Sequence, residues 1–97
     1  MSIFQAQGYL TLKLETNLNI STASAIKILY KKPDGTRGFW VADSIENNTI
    51  IVYDLTNADL DQAGVWTFQA FVTIDGRDGY GEYVQKEIKP FVYDVTL

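Results

Sequence analysis

The chain has 97 residues, of which 12 are acidic and 8 basic, giving a net charge of −4, and it contains neither cysteine nor histidine. A chain of this length forms one domain. Without cysteine it has no disulfide, zinc–thiolate site or thiol nucleophile, and without histidine it lacks the commonest metal ligand and neutral-pH acid or base. Its scattered, net acidic charge does not provide the basic surface that binds phosphate backbones, so we expect no nucleic-acid partner.

The sequence carries no recognisable targeting signal. Residues 1–8 lack the basic and apolar regions of a signal peptide, and the apolar runs are much shorter than the roughly 20 residues that span a bilayer. We therefore expect cytoplasmic synthesis without membrane insertion. We also expect a single domain over residues 1–97, in which 1–7 and 90–97 are flexible or assembly tails.

The first half of the chain has the period-two pattern of β-strands. Leucines alternate with polar residues over 10–14, and residues 25–31 and 37–42 form two further strands. Between these two strands lies the Lys-Pro-Asp-Gly segment 32–35, in which proline presets the first turn position and glycine accepts a positive φ. The segment predicts a hairpin with Gly35 at positive φ.

The second half of the chain continues this pattern. Three further strands are predicted, at residues 49–55, 65–74 and 80–88. They are preceded by three connections rich in turn residues, at 46–48, 56–64 and 75–79, of which the second is a short crossover turn. The longest strand, 65–74, has an almost wholly apolar face that begins with Trp66 and Phe68, and we predict that both are deeply buried.

Short strands with turn signals and no alternation with helices predict an all-β sandwich or a small barrel. The spacing of Gly64, Trp66 and Phe68 resembles the corner that leads into strand F of immunoglobulin-like domains. Tryptophan stands here where tyrosine is usual, so the corner hydrogen bond should differ, because an indole can only donate. We therefore predict an all-β, immunoglobulin-like antiparallel β-sandwich of about seven strands.

The order of these signals resembles the immunoglobulin-like N-terminal domain of phage baseplate upper proteins, and small prophage-encoded sandwich proteins found among tail and virion genes. The resemblance is carried by Ile28 to Gly35, which reads ILYKKPDG, and by Leu60 to Gly76. It implies a non-enzymatic structural or assembly protein of a phage or prophage virion, of the tail or baseplate type. The implied partners are other virion proteins or further copies of the chain, and the implied destination is the virion.

Carboxylates are the remaining candidates for catalysis. Asp59 and Asp61 lie close together before the corner, and Asp75, Asp78 and Glu82 cluster around the last hairpin. Two carboxylates can hydrolyse a glycoside within a cleft, and acids on one loop can bind calcium. Aspartate and glycine are also the residues that turns require, and turn acids are ordinarily solvated. We therefore predict no enzyme activity, no metal and no cofactor.

Aromatic residues provide the candidate binding surface. Phe39 and Trp40 are adjacent in a strand, so one should face the core and the other solvent. Phe91 and Tyr93 lie in an apolar, β-prone segment after Pro90. We predict Phe39, Trp40, Phe91 and Tyr93 as interface residues for protein–protein docking. The alternative function is a carbohydrate- or cell-surface-binding module that stacks sugars on exposed aromatic rings, for which Phe39 and Trp40 with Tyr9, Tyr53 and Tyr80 are the candidates.

Overall fold

The computed structural model describes residues 3–4, 10–56 and 58–89. These residues form eight strands and no helix, so the described part of the chain has no helix long and apolar enough to cross a membrane. The strands are β1 Ile3–Phe4, β2 Thr11–Glu15, β3 Ala25–Lys31, β4 Arg37–Val41, β5 Ser44–Glu46, β6 Ile50–Asp54, β7 Gly64–Ile74 and β8 Arg77–Lys89.

The strands form two sheets packed against each other. The larger sheet has the order β1-β8-β7-β3-β4 and the smaller sheet has the order β2-β6-β5. All pairs are antiparallel except β1 and β8, which run parallel. In the nomenclature of immunoglobulin-like domains, β2, β6 and β5 correspond to strands B, E and D, and β3, β4, β7 and β8 to C, C′, F and G. The protein is therefore the all-β, immunoglobulin-like sandwich that the sequence predicts.

The core lies between the two sheets because alternate residues of the long strands face inward. The predicted apolar face of β7 is buried, with Trp66 fully enclosed and Phe68 nearly so. Across the interior these side chains belong to one apolar cluster with Ile51 of β6. Ile20 and Leu60 lie in connections and are also buried, although no strand pattern identifies them.

Two hairpin turns each use two consecutive residues with positive φ, which is the type I′ geometry that matches the twist of paired strands. Asn47 and Asn48, with φ values of 52° and 61°, join β5 to β6. The edge strand β5 has only three residues, so the period-two pattern does not reveal it. Asp75 and Gly76, at 52° and 74°, join β7 to β8. The predicted connection 75–79 was too long, because a two-residue turn lets the ladder begin at Arg77.

The Lys-Pro-Asp-Gly segment forms the predicted turn between β3 and β4. Gly35 has a φ of 92°, which confirms the prediction of a left-handed backbone at this position. The Gly35 N–H donates to the carbonyl of Lys32 at 2.9 Å, and the Lys32 N–H donates to the carbonyl of Thr36 at 2.7 Å. These bonds fix the position of β4 beside β3.

Candidate functional site

The corner that leads into β7 contains a hydrogen bond from a side chain to the backbone. The sequence predicts that this bond differs from the usual one, because tryptophan stands where tyrosine is usual. The indole Nε1 of Trp66 donates to the backbone carbonyl of Gln62 at 2.9 Å. An immunoglobulin-like corner makes the equivalent bond with a tyrosine hydroxyl. Tryptophan therefore replaces tyrosine here while the bond still runs from the ring to the backbone upstream.

The β3–β4 turn is bonded to this corner by two polar pairs. The ammonium of Lys32 lies 2.7 Å from a carboxylate oxygen of Asp61, and this hydrogen bond raises the pKa of Lys32 above its ordinary value. The amide of Gln62 donates to the carboxylate of Asp34 at 2.8 Å. The pKa of Asp34 is lowered, first by the backbone N–H of Thr36 and then by further hydrogen bonds. These pairs join the hairpin to the entry of β7.

Trp40 and Phe39 lie on opposite sides of the larger sheet, as their adjacency predicts. The Trp40 ring packs into the interior, 4.7 Å from the Tyr30 centroid and 5.0 Å from that of Tyr53, which it stacks upon. It also contacts Trp66. Phe39 points away from the core and is 53% exposed. Of these two predicted interface residues, Phe39 therefore presents its ring on the outer side of the sheet, whereas Trp40 is partly buried against the core.

The outward side of β3, β4, β7 and β8 forms a continuous surface that we call the outer face. Phe39, Val41, Tyr80 and Tyr83 are large apolar or aromatic residues that remain exposed on it. The strand registers place the following residues on the outer face: Lys27, Leu29, Lys31, Arg37, Phe39, Val41, Val65, Thr67, Gln69, Phe71, Thr73, Asp78, Tyr80, Tyr83, Gln85 and Glu87.

A β-bulge places two tyrosines of β8 on this same face. Tyr80 and Tyr83 are three residues apart, so a regular strand would direct them to opposite sides. The ladder shifts register at Ala70, which leaves Gly81 and Glu82 together opposite one residue of β7. A Cβ atom on Gly81 would lie 3.3 Å from that of Ala70, so glycine suits the close approach. Sequence reasoning identified Tyr80 as a candidate but missed Tyr83 on the same face, although a glycine inside a strand is a recognised signal of a bulge.

A shallow groove crosses the outer face at the level of Gly38. The Tyr30 phenol occupies the space that a side chain on Gly38 would need on the inner side. The apolar rings of Phe39 and Tyr83 and the amide of Gln69 line the groove. The remaining outer-face residues in its wall are Leu29, Lys31, Arg37, Thr67 and Gln85. The groove thus combines aromatic rings with amide and basic groups.

The opposite surface of the sandwich, on the smaller sheet, has a different character. The ammonium of Lys13 lies 2.9 Å from the carboxylate of Glu46. The Thr11 hydroxyl donates to Asp54 at 2.9 Å. These polar groups bind one another across neighbouring strands, as is common on a solvated sheet surface. The outer face is therefore the more apolar of the two sheet surfaces.

The acidic residues considered for catalysis have structural partners in several cases. The carboxylate of Asp59 accepts from the Tyr53 hydroxyl at 2.8 Å and from the Thr56 N–H at 2.7 Å. Burial, reinforced by Asp59, raises the pKa of Tyr53. Asp78 accepts from the Thr73 hydroxyl at 2.9 Å. In the described part of the chain, no three acidic side chains come together as a site for a metal ion.

Phe91 and Tyr93, the other two predicted interface residues, lie outside the described residues. Comparison of the chain with protein-family models and with curated proteins found no match.

Proposed function

We propose that this chain is a non-enzymatic docking module of a phage or prophage virion, of the tail or baseplate type, and that it binds neighbouring protein subunits through its outer face. The observation that carries the docking part is the cluster of exposed apolar and aromatic residues on that face. Val41, Tyr80 and Tyr83 each expose more than half of their surface, and Tyr83 reaches 68%. Clustered side chains of this kind on a soluble domain mark sites of interaction.

The composition of the outer face supports a protein partner. Phenylalanine, tyrosine and arginine are enriched in protein interfaces, and aromatic residues supply much of their binding energy. Phe39, Tyr83 and Arg37 occur together around the groove. The smaller sheet instead carries the ion pair of Lys13 and Glu46, which leaves the outer face as the better docking surface.

The virion part of the proposal is supported by the resemblance to baseplate upper proteins, and it is tested by finding the protein in particles. Particles are induced from a host that carries the gene, purified on a density gradient and analysed by mass spectrometry. The proposal predicts the chain at a fixed ratio to the known tail proteins and its gene among tail or head genes. Particles that lack the chain, with a gene outside any virion cluster, would overturn it.

A second candidate function is a carbohydrate- or cell-surface-binding module. The observation that favours it is the groove, in which Tyr83 and Phe39 could stack on a sugar ring while Gln69 and Gln85 bind its hydroxyls. Both tryptophans pack in the interior, so their fluorescence is a poor reporter of binding on the outer face. A glycan array followed by NMR titration tests this function directly. Saturable shifts of groove residues would favour sugar binding over protein docking.

A further inference from the structure

The charges on the outer face are distributed unevenly over its strands. Among the described residues its basic side chains are Lys27, Lys31 and Arg37 on β3 and β4, and Lys89 at the end of β8. Its acidic side chains are Asp78 and Glu87, both on β8. β7 lies between these two groups with uncharged outward residues. A surface with most of its basic groups along one side and its acidic groups along the other can place opposite charges together when it meets a copy of itself turned by half a revolution.

We propose that a second copy of this chain docks on the outer face, about a two-fold axis that runs parallel to the strands between β3 and β7. The inference rests on the proposed function, because it takes the outer face as the docking surface and names its occupant. A two-fold contact uses the same patch on both copies. This axis exchanges the two sides of the sheet, so β4 of each copy lies over β8 of the other.

The strand registers determine which residues meet across this axis. Phe39 lies in the same row as Tyr83, so each Phe39 comes over Tyr83 of the second copy. Val41 lies in the row of Tyr80 and comes over Tyr80 of the second copy. Exposed apolar groups therefore cover one another on both flanks of the contact, where β4 of each copy lies over β8 of the other.

The same axis brings opposite charges together at one end of the face. Arg37 lies in the row of Gln85, and Glu87 is the next outward residue along β8. The Arg37 guanidinium therefore comes over Gln85 and reaches towards Glu87 of the second copy. An axis across the strands would instead lay β8 on β8 and bring Glu87 towards Asp78, acid against acid. The contact between Arg37 and Glu87 thus favours the first of the two face-to-face arrangements.

The face is large enough for a reversible dimer. Four strands about 4.8 Å apart, over about nine residues of β7, cover roughly 500 Å² in plan, and protruding side chains enlarge the area. A stable interface of standard size buries about 800 Å² on each partner. The outer face falls below that value, in the range of weak or transient interfaces, which is consistent with association in a concentrated or assembled state.

Lys27 limits the strength of this contact. Its ammonium lies 4.5 Å from the ring centroid of Phe39 and 5.6 Å from that of Phe71, near the middle of the face. Two copies of this charge come close to the axis and repel each other, as do the two copies of Lys31, which lies on the same strand. Lys27→Met should therefore strengthen the dimer, whereas the same change would weaken the binding of an acidic partner.

Charge reversal tests the arrangement. The full chain and the variants Arg37→Glu, Glu87→Lys and Arg37→Glu/Glu87→Lys are compared by sedimentation velocity over a range of concentrations. Each single reversal creates two symmetric like-charge contacts and should weaken the dimer at least about tenfold. The double variant should recover most of the affinity. An equimolar mixture of the two single variants should form a mixed dimer, because every charge then faces its opposite.

Lys13→Glu, a charge reversal on the smaller sheet, serves as the matched control and should leave the dimer unchanged. Thermal unfolding of every variant checks that each is folded. A wild-type chain that stays monomeric at high concentration, single variants that fail to pair when mixed, or a Lys27→Met dimer that is weaker than wild type would each overturn the proposed dimer. Particles that contain the chain as a monomer would refute the dimer and leave the proposed function standing. If the chain forms the dimer but its gene lies outside any virion cluster, the dimer stands and the proposed virion function is refuted.

Discussion

Gly64, the first residue of β7, lies against the pyrrolidine ring of Pro33 in the β3–β4 turn. A Cβ atom placed on Gly64 would be 2.8 Å from both Cβ and Cγ of Pro33, and the φ of Gly64 is 125°. The backbone and the packing therefore both require glycine. The two sequence segments that carry the resemblance, 28–35 and 60–76, are thus in direct contact in the fold.

This contact predicts that Gly64→Ala is strongly destabilising. The substituted residue would have a strained φ and a clash with Pro33, at a combined cost of about 2 to 4 kcal/mol in the free energy of unfolding. Gly35→Ala is the matched control, because Gly35 also has a positive φ but open space around it, and should cost only about 1 kcal/mol. Urea unfolding measures both values. Equal losses would mean that the contact with Pro33 contributes nothing.

The two sides of the larger sheet should respond differently to the loss of a phenylalanine ring. Phe68→Ala empties a buried site in the core and should lower the free energy of unfolding by about 3 to 5 kcal/mol. Phe39→Ala removes a half-exposed ring from the outer face and should cost less than about 1 kcal/mol. Urea denaturation of the two variants provides the comparison. A loss for Phe39→Ala as large as that for Phe68→Ala would show that the faces are misassigned.

The corner hydrogen bond predicts a specific effect at Trp66. Trp66→Phe removes the indole N–H and part of the buried ring, leaving the Gln62 carbonyl without its donor. The expected cost is about 2 to 3 kcal/mol. NMR of the wild-type indole N–H offers an independent measurement, since this proton should exchange with solvent more slowly than that of Trp40, which is less deeply buried. Rapid exchange at Trp66 would contradict the bond.

The lowered pKa of Asp34 predicts an acid-dependent part of the stability. A carboxylate whose pKa is lower in the folded chain stabilises the fold above its ordinary pKa of 3.8, and this contribution disappears as the pH falls through the folded pKa. Asp34→Asn should therefore flatten the dependence of the melting temperature on pH below about pH 4. Thermal melts between pH 2 and 7 compare the two proteins. Superimposable curves would show that the hydrogen bonds from Thr36 and Gln62 do not favour the charged form.

The parts of the fold that depend on local chemistry could be predicted from the sequence. The period-two pattern of residues 65–74 identified the buried face of β7 because alternating side chains must point to opposite sides of a sheet. The Pro33 turn was also predictable, since its residue types have fixed backbone preferences. The adjacency of Phe39 and Trp40 predicted opposite faces, but only the pairing of β4 with β3 determines which of them faces the core.

The features that escaped prediction depend on contacts between distant segments. Ile20 and Leu60 are buried, yet they lie in connections where no periodicity applies. The bulge at Gly81 overrides the alternation that separates Tyr80 from Tyr83. The uneven distribution of charge on the outer face likewise appears only when the registers of four strands are known. The candidate docking face as a whole could therefore not be predicted from sequence patterns, although Phe39 was identified as one of its residues.

The central claim is that the outer face is the surface by which this protein is held in a larger assembly. In the most direct measurement, two chains with different mass tags are co-expressed during phage production and compete for incorporation. The amount of each chain in the purified particles is then compared. Against the wild-type chain, Phe39→Ser/Tyr83→Ser should be depleted at least about tenfold, since it removes two aromatic anchors. Leu18→Ser, which changes a half-exposed apolar residue off this face, should be incorporated like wild type. Equal incorporation of Phe39→Ser/Tyr83→Ser and wild type would contradict the claim.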